Sequence, residues 1–338
     1  MTSITIKDIA RKFKCSPSTV SRALNDHPNI NQDTKDTINE YAQRMGYQKN
    51  TISLSLLNKS TKTVGVLVPN INHSHETQMI QGVQSVLNKL GYMVLFCVTN
   101  ESHELEKEHI KRLLSNRVDA ILISISQETA NLQNFEHFES INKRQIPFIF
   151  IDRDIVENIG SSVVIDDFTG AYLATKHLID KGYHKIAHLA GPKELLVSKL
   201  RLNGYLKCLN DYDIETNQDW IKYVNFEAES AVEPTKELLA GKNRPNAIFG
   251  VNDYVCFGAM NLLQSMKIKI PEEIAIIGFD NCPIASHFSP NLSTIDRKSF
   301  EIGATAARQI LDMLMTGINK NHKNTLSPQL IVRASTSQ

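Results

Sequence analysis

The sequence predicts an all-α N-terminal head containing a helix-turn-helix, followed by an α/β body built on two parallel sheets. Three observations carry this reading. Three short helical periods, each behind a polar cap, occupy the first 46 residues. From Thr63 onward, apolar runs of four to six residues alternate with amphipathic segments. Charge is also divided along the chain, with ten basic and five acidic side chains up to residue 62, then 27 basic and 31 acidic. A basic head on a mildly acidic body is the asymmetry expected when only the head meets phosphate. A length of 338 residues suits a small module plus one or two α/β domains.

The first helix follows Thr5, with Asp8 three residues beyond that cap and Ile6, Ile9, Ala10 and Phe13 at helical spacing. The second begins with Ser16 as N-cap and Pro17 at N1, where a missing N–H costs nothing, and turns Val20, Ala23 and Leu24 inward. Two helices so close together make a helix-turn-helix. The third starts at an Asn31 cap, runs through Thr34, Ile38, Tyr41, Ala42 and Met45, and stops at Gly46. Residues 50–58, NTISLSLLN, are too short and too β-branched to hold as an isolated helix and read as a linker that folds conditionally.

Eight apolar runs follow: TVGVLV (63–68), MVLFCV (93–98), AILISI (120–125), PFIFI (147–151), SVVI (162–165), KIAHLA (185–190), NAIFGV (246–251) and IAIIGF (274–279). Such runs separated by helices indicate parallel sheets covered on both faces, and eight divide better between two sheets than into one. The amphipathic stretch 302–315, IGATAARQILDMLM, suits either a dimer surface or subdomain core.

Five widely spaced cysteines with no C-x-x-C pair suggest neither a disulfide framework nor a zinc ribbon, and point to a reducing cytoplasm. No signal peptide or membrane-spanning run is read. The G-x-S-x-G, H-E-x-x-H and phosphate-loop patterns are missing, so no enzyme is expected, and no cofactor is implied.

The motifs TIKDIA, STVSRALN and GYQKN in the head, and VGVLVP, GAYLATKHLIDKGYHKIAHLAGP, RLNGY, GVNDYVCFGAM and PEEIAIIGFDN in the body, resemble the lactose-repressor (LacI/GalR) family of bacterial transcription regulators. Their order over about 330 residues carries the resemblance. It implies a DNA-binding head (1–49), a hinge helix or linker (50–61) and a periplasmic-binding-protein-like body (62–338). The body would divide into two Rossmann-like parallel-sheet subdomains, an N-subdomain of about 62–165 and 293–322 and a C-subdomain of about 166–292 and 323–338. The expected function is a ligand-responsive repressor of sugar or related carbon-source catabolism genes. It would act on the bacterial nucleoid as a homodimer, with a tetramer as the larger alternative, on near-palindromic double-stranded operator DNA. A two-lobed solute-binding protein without DNA function is the rival.

Against that background the polar front of the second helix becomes a groove-reading surface. Pro17 and Ser18 occupy its first turn and Arg22 lies one turn on, while Ser16, Thr19 and Ser21 suit phosphate oxygens. The resemblance extends DNA contact to Thr5, Asn25, Asn31, Tyr47 and Asn50, and to the hinge through Ile52, Ser53 and Leu56, the last as a minor-groove wedge. Phe13-Lys14 stands where the family has Ala-Gly, so the turn must form without glycine.

In the body, residues at strand ends are expected to face a small polar effector, a sugar, sugar acid or sugar phosphate. Asp152, Asp166, Arg201, Asn252 and Asp280 would make paired hydrogen bonds to hydroxyls, with Phe226 as a stacking wall. His75 and Glu76 take places the family gives to aromatics, making that wall polar, with His73 and His75 as its contacts to effector. Two histidines beside Glu76 invite a metal reading. It is set aside because the spacing is loose, the loop would be mobile, and an effector cleft explains the polarity more simply.

Overall fold

The computed structural model describes residues 4–47, 60–155, 159–241, 243–318 and 321–337. The hinge positions Asn50, Ile52, Ser53 and Leu56 lie outside them. The chain divides into two compact units, Met1–Thr61 and Lys62–Gln338.

In the first unit, helices α1 (Ile6–Lys12), α2 (Pro17–Leu24) and α3 (Gln32–Arg44) start at the caps Thr5, Ser16 and Asn31. Thr5 and Asp8 close a reciprocal capping box. Ile9, Ala10, Val20, Ala23, Ile38 and Ala42 form one small core. The turn between α1 and α2 is made by Lys14 itself at φ 50°, a left-handed conformation usually left to glycine. Phe13 meets the Tyr41 ring edge-on at 5.3 Å. Met45, at the end of α3, is 48% exposed. Lys35 is buried instead, its ammonium 2.6 Å from the Asp26 carboxylate.

The second unit carries two six-stranded sheets. The first has the order β11-β5-β4-β3-β1-β2, from β1 (Thr63–Val68), β2 (Met93–Val98), β3 (Ala120–Ile123), β4 (Phe148–Ile151), β5 (Ser161–Ile165) and β11 (Lys323–Leu326), all parallel. The second has the order β12-β10-β9-β8-β6-β7, from β6 (Ile186–Ala190), β7 (Ile221–Tyr223), β8 (Ala247–Gly250), β9 (Ala275–Phe279), β10 (Ser293–Asp296) and β12 (Gln329–Ile331). Its last strand is antiparallel. The eight apolar runs all become strands. The four additional strands have only three or four residues and none holds more than two consecutive apolar ones, so they lack the apolar run by which a buried strand is recognised.

Two of those strands move the subdomain limits. Ser293–Asp296 pairs within the second sheet and Lys323–Leu326 within the first, so the chain crosses at Arg297-Lys298 and at Ser327-Pro328. The limits drawn at 293 and 323 therefore each shift four residues toward the C-terminus.

Helices α4 (Ser74–Leu87) and α12 (Ser299–Thr316) cross on one face of the first sheet. A Cβ at Gly82 would sit 2.1 Å from the Phe300 carbonyl oxygen, and one at Gly303 2.0 Å from that of Met79. Backbone approach this close admits only glycine, so the small-residue patch of the 302–315 stretch is subdomain core. Helices α5 (His103–Ser115), α6 (Gln127–Leu132) and α7 (Glu136–Lys143) belong to the same lobe. Helices α8 (Asp167–Asp180), α9 (Leu196–Asp211), α10 (Val232–Ala240) and α11 (Asp253–Ser265) cover the second sheet.

Candidate functional site

Two polar surfaces stand out, one in each unit. On the head, the first turn of α2 is a cluster of hydroxyls: Ser16 Oγ lies 2.7 Å from Ser18 Oγ and 2.8 Å from Thr19 Oγ1, and accepts the Thr19 N–H at 3.1 Å. Pro17, Ser18 and Arg22 are exposed, and Thr19 and Ser21 are half-buried. Thr5 and Asn31 cap their helices, Asn25 ends α2 exposed, and Tyr47 packs half-buried against the head core. The positive end of the α2 dipole thus faces solvent beside a guanidinium one turn away, which suits an anionic backbone.

In the body, the ends of the parallel strands bring charges together between the lobes. Asp152 follows β4 and Asp280 follows β9, and both hold positive φ, 65° and 112°. Each is pinned there by its own amide, Asp152 N–H to the Val163 carbonyl at 3.1 Å and Asp280 N–H to that of Ile295 at 2.8 Å. Strained, sheet-anchored carboxylates of this kind mark sites that the surrounding structure over-determines. Arg297, at the crossing between β10 and α12, joins them: Nη2 contacts Asp152 and Nη1 lies 3.3 Å from Asp280 Oδ1. One guanidinium therefore ties a carboxylate of each lobe.

The neighbouring groups are arranged in similar pairs. Arg201, on α9 and 2% exposed, gives Nε to Asp167 at 2.8 Å and Nη1 to the Val251 carbonyl at 2.5 Å, with Asp280 3.9 Å away and the Phe279 ring beneath it at 3.7 Å. Arg153 reaches Glu101 at 2.9 Å and stands 5.3 Å from the Phe226 ring centre. Asn252 caps α11 with its oxygen and gives its amide to the Phe226 carbonyl at 3.0 Å. His75 sits between both key carboxylates, 3.8 Å from each.

Burial governs the titration of this set. It pushes Asp280 well above the ordinary carboxylate range against the pull of Arg201. It raises Glu76 to about 7, lowers Arg297 to about 10, and takes His75 well down, helped by Arg297. The His75 imidazole is accordingly neutral.

Of the residues expected at the effector site, His73, His75, Asp152, Arg201, Phe226, Asn252 and Asp280 line one cleft. Its side chains leave a cavity of about 20 Å³, little more than a water needs. Asp166 lies apart. It caps α8, accepting the Thr169 N–H at 2.9 Å and hydroxyl at 2.7 Å, and lines a neighbouring cavity of about 210 Å³ with Asp154 and Lys323. The sequence reading missed Arg297, although it directly follows the motif STID. Recognising those four residues as a strand would have placed it at a strand end.

Residues 5–50 match the family described as bacterial regulatory proteins, lacI family, and residues 175–336 match a periplasmic binding protein-like domain. The chain is 31% identical over 330 residues to the HTH-type transcriptional repressor PurR of Vibrio vulnificus strain CMCP6, covering 97% of each chain. The chain belongs to the LacI family. It is a LacI-family transcriptional repressor with an effector-binding domain, and not an enzyme. Among solved structures, it is similar to a LacI family transcriptional regulator from Enterococcus faecium with bound ribose, at 28% identity and TM-score 0.72 over 81% of this chain and 98% of that one. The Lac repressor dimer bound to operator and the anti-inducer ONPF shares the fold, at 23% identity and TM-score 0.88 over 99% of each chain. The first match lies within the first compact unit and the second within the other. Among the described residues, no helix is long and apolar enough to cross a membrane.

Proposed function

We propose that this LacI-family repressor answers to a polyhydroxylated effector of the sugar class and reads a near-palindromic operator as a homodimer in the cytoplasm. One observation carries the effector class: Asp152 and Asp280, one from each lobe, share Arg297 beside Arg201, Asn252 and the Phe226 ring. Carboxylates retain free lone pairs after pairing with a guanidinium, so vicinal hydroxyls can bridge them while a ring face packs on Phe226. Because the cavity is small, effector entry requires Arg297 to release one carboxylate. That links ligand binding to lobe movement, and a coupling of about 1–3 kcal/mol to operator affinity follows from such a change.

The rival ligand is a purine base, the class that the relatives' name PurR invites, for which Phe226 would be the stacking wall. Calorimetry of the full chain against neutral sugars, sugar acids, sugar phosphates and purine bases separates the two. Binding by a member of the sugar classes, lost in Asp280→Asn, supports the reading, and heat from the bases alone overturns it.

The homodimer rests on β2. This edge strand exposes Met93 at 58% and Phe96 at 51%, and an apolar edge is an association surface in want of a partner. A twofold dimer would then meet a twofold site, with α2 of each copy in a major groove. Gel filtration is expected to give a dimer that Phe96→Glu dissociates, whereas a wild-type monomer would refute it.

A further inference from the structure

We infer that His73, His75 and Glu76 form a binding site for a divalent first-row transition-metal ion at the wall of the cleft. The loose sequence spacing argues against such a site, but the fold removes that objection. His73 is the residue preceding α4, and His75 and Glu76 lie in its first turn, all three buried. One donor atom from each lies within 4.8 Å of the others.

The distances are those of ligands around an ion. Ligands about 2.1 Å from a tetrahedral metal stand about 3.4 Å from one another. His75 Nε2 is 3.1 Å from Glu76 Oε1 and 3.8 Å from Asp152 Oδ2, and His73 Nε2 is 3.3 Å from Glu227 Oε1. On these residues two buried atoms lack any hydrogen bond: His73 Nε2, on a residue 3% exposed, and Glu76 Oε2, on one 1% exposed. A dry carboxylate oxygen without a donor is costly unless a cation reaches it.

Glu76 Oε2 receives no hydrogen bond from the three cleft arginines, although the charges of Arg153 and Arg297 act on the carboxyl. Arg153 is engaged by Glu101, Arg201 by Asp167, and Arg297 by Asp152 and Asp280. Two imidazoles and a carboxylate, with no thiolate, select a borderline ion such as Zn²⁺, Co²⁺ or Ni²⁺. Glu227 belongs to the other lobe, so an ion that recruited it would fasten the lobes together and favour the closed cleft.

A second buried group of the same residue types marks the contrast. His137 Nε2 lies 2.7 Å from Glu106 Oε1, which also accepts the Thr129 hydroxyl at 2.7 Å, while Oε2 accepts the Ser126 N–H at 2.6 Å. Those are hydrogen-bond distances, and both Glu106 oxygens already have donors, three bonds in all, whereas Glu76 Oε2 has none.

The test uses the full chain, stripped with a chelator, dialysed and titrated with Co²⁺ while visible d–d absorption is recorded, then with Zn²⁺ in a calorimeter. One ion per chain is expected. His75→Gln should weaken it by more than the roughly 10–100-fold that loss of an outer-shell partner costs, and His137→Gln should leave it unchanged. Glu76→Gln, nearly isosteric, repeats the test should His75→Gln fail to fold. The proposal is overturned if the wild-type chain gives no band, if the band survives in both cleft variants, or if His137→Gln alone removes it. None of these readouts depends on what the effector is.

Discussion

The two polar surfaces of this repressor are built on opposite physical terms. The front of α2 is wet and local: its hydroxyls bond one another two and three residues apart, and its Pro17, Ser18 and Arg22 are open to solvent. The cleft is dry and non-local, with charges drawn from positions as far apart as His73 and Arg297 and its arginines set against carboxylates in the interior. A wet local surface loses a contact at the cost of that contact. A dry network loses a partner at the cost of leaving another charge stranded.

The largest effect should therefore come from Arg201→Ala. It strands Asp167, whose carboxyl burial already raises against the pull of Arg201, and removes the donor to the Val251 carbonyl. A loss of about 3–5 kcal/mol in urea unfolding is expected, with effector response abolished and operator binding by the folded fraction retained. Arg201→Met with Asp167→Leu should recover most of the stability but none of the response, since an apolar pair of similar volume replaces a buried ion pair at little cost. Simple additivity of the two substitutions would mean that the cleft is no network.

The same difference decides what the sequence disclosed. Caps and helical periods are local, so Thr5, Ser16 and Asn31 all start the helices they predict. Apolar runs are local too, and each became a strand. Arg297 and the crossing it occupies depend on β10, a four-residue strand with one apolar residue whose place is fixed only by pairing with β9 and β12. Asp166 sat at a strand end as expected, yet its oxygens are spent on Thr169, a choice of local cap over distant ligand that spacing alone does not reveal. Lys35 was likewise invisible as a buried residue, because its burial depends on Asp26 across a turn.

Acid should separate body from head. His188 is fully buried between the Tyr205 and Phe249 rings, and its Nδ1 donates to the Phe249 carbonyl at 2.9 Å. Burial takes its pKa down to about 4. The folded imidazole stays neutral down to that pH while the unfolded one takes a proton near 6.5, so this contribution is complete above 6.5 and lost as pH falls toward 4. The loss should amount to about 3 kcal/mol. Urea unfolding followed by the single tryptophan, Trp220, which packs on the second-lobe core, reports the body. His188→Phe should flatten the difference between pH 7 and pH 4.5, and an unchanged slope would place the acid sensitivity elsewhere.

On the head, Arg22→Ala should cost about 1–3 kcal/mol of operator affinity, the size of one good base contact. Binding to unrelated duplex should fall less, and the body's unfolding curve should not move. Gel shifts at two salt concentrations distinguish the cases. Equal losses on specific and unrelated duplex, with a shallower salt dependence, would make Arg22 a phosphate contact only.

The smallest effect sharpens the contrast most. Ser16→Ala removes the N-cap of α2 and the hub of its hydroxyl cluster, yet water can replace every bond lost, because the site is exposed. The expected cost is about 1 kcal/mol in head stability, seen as a lowered melting temperature of the helical signal, with Ser16→Asp restoring most of it. Deletion of one hydroxyl would have to cost as much as stranding Asp167 for the wet surface to be behaving as a dry one. In that case the cluster would be a cooperative network in its own right, and Ser18 and Thr19 should fail to tolerate alanine for the same reason.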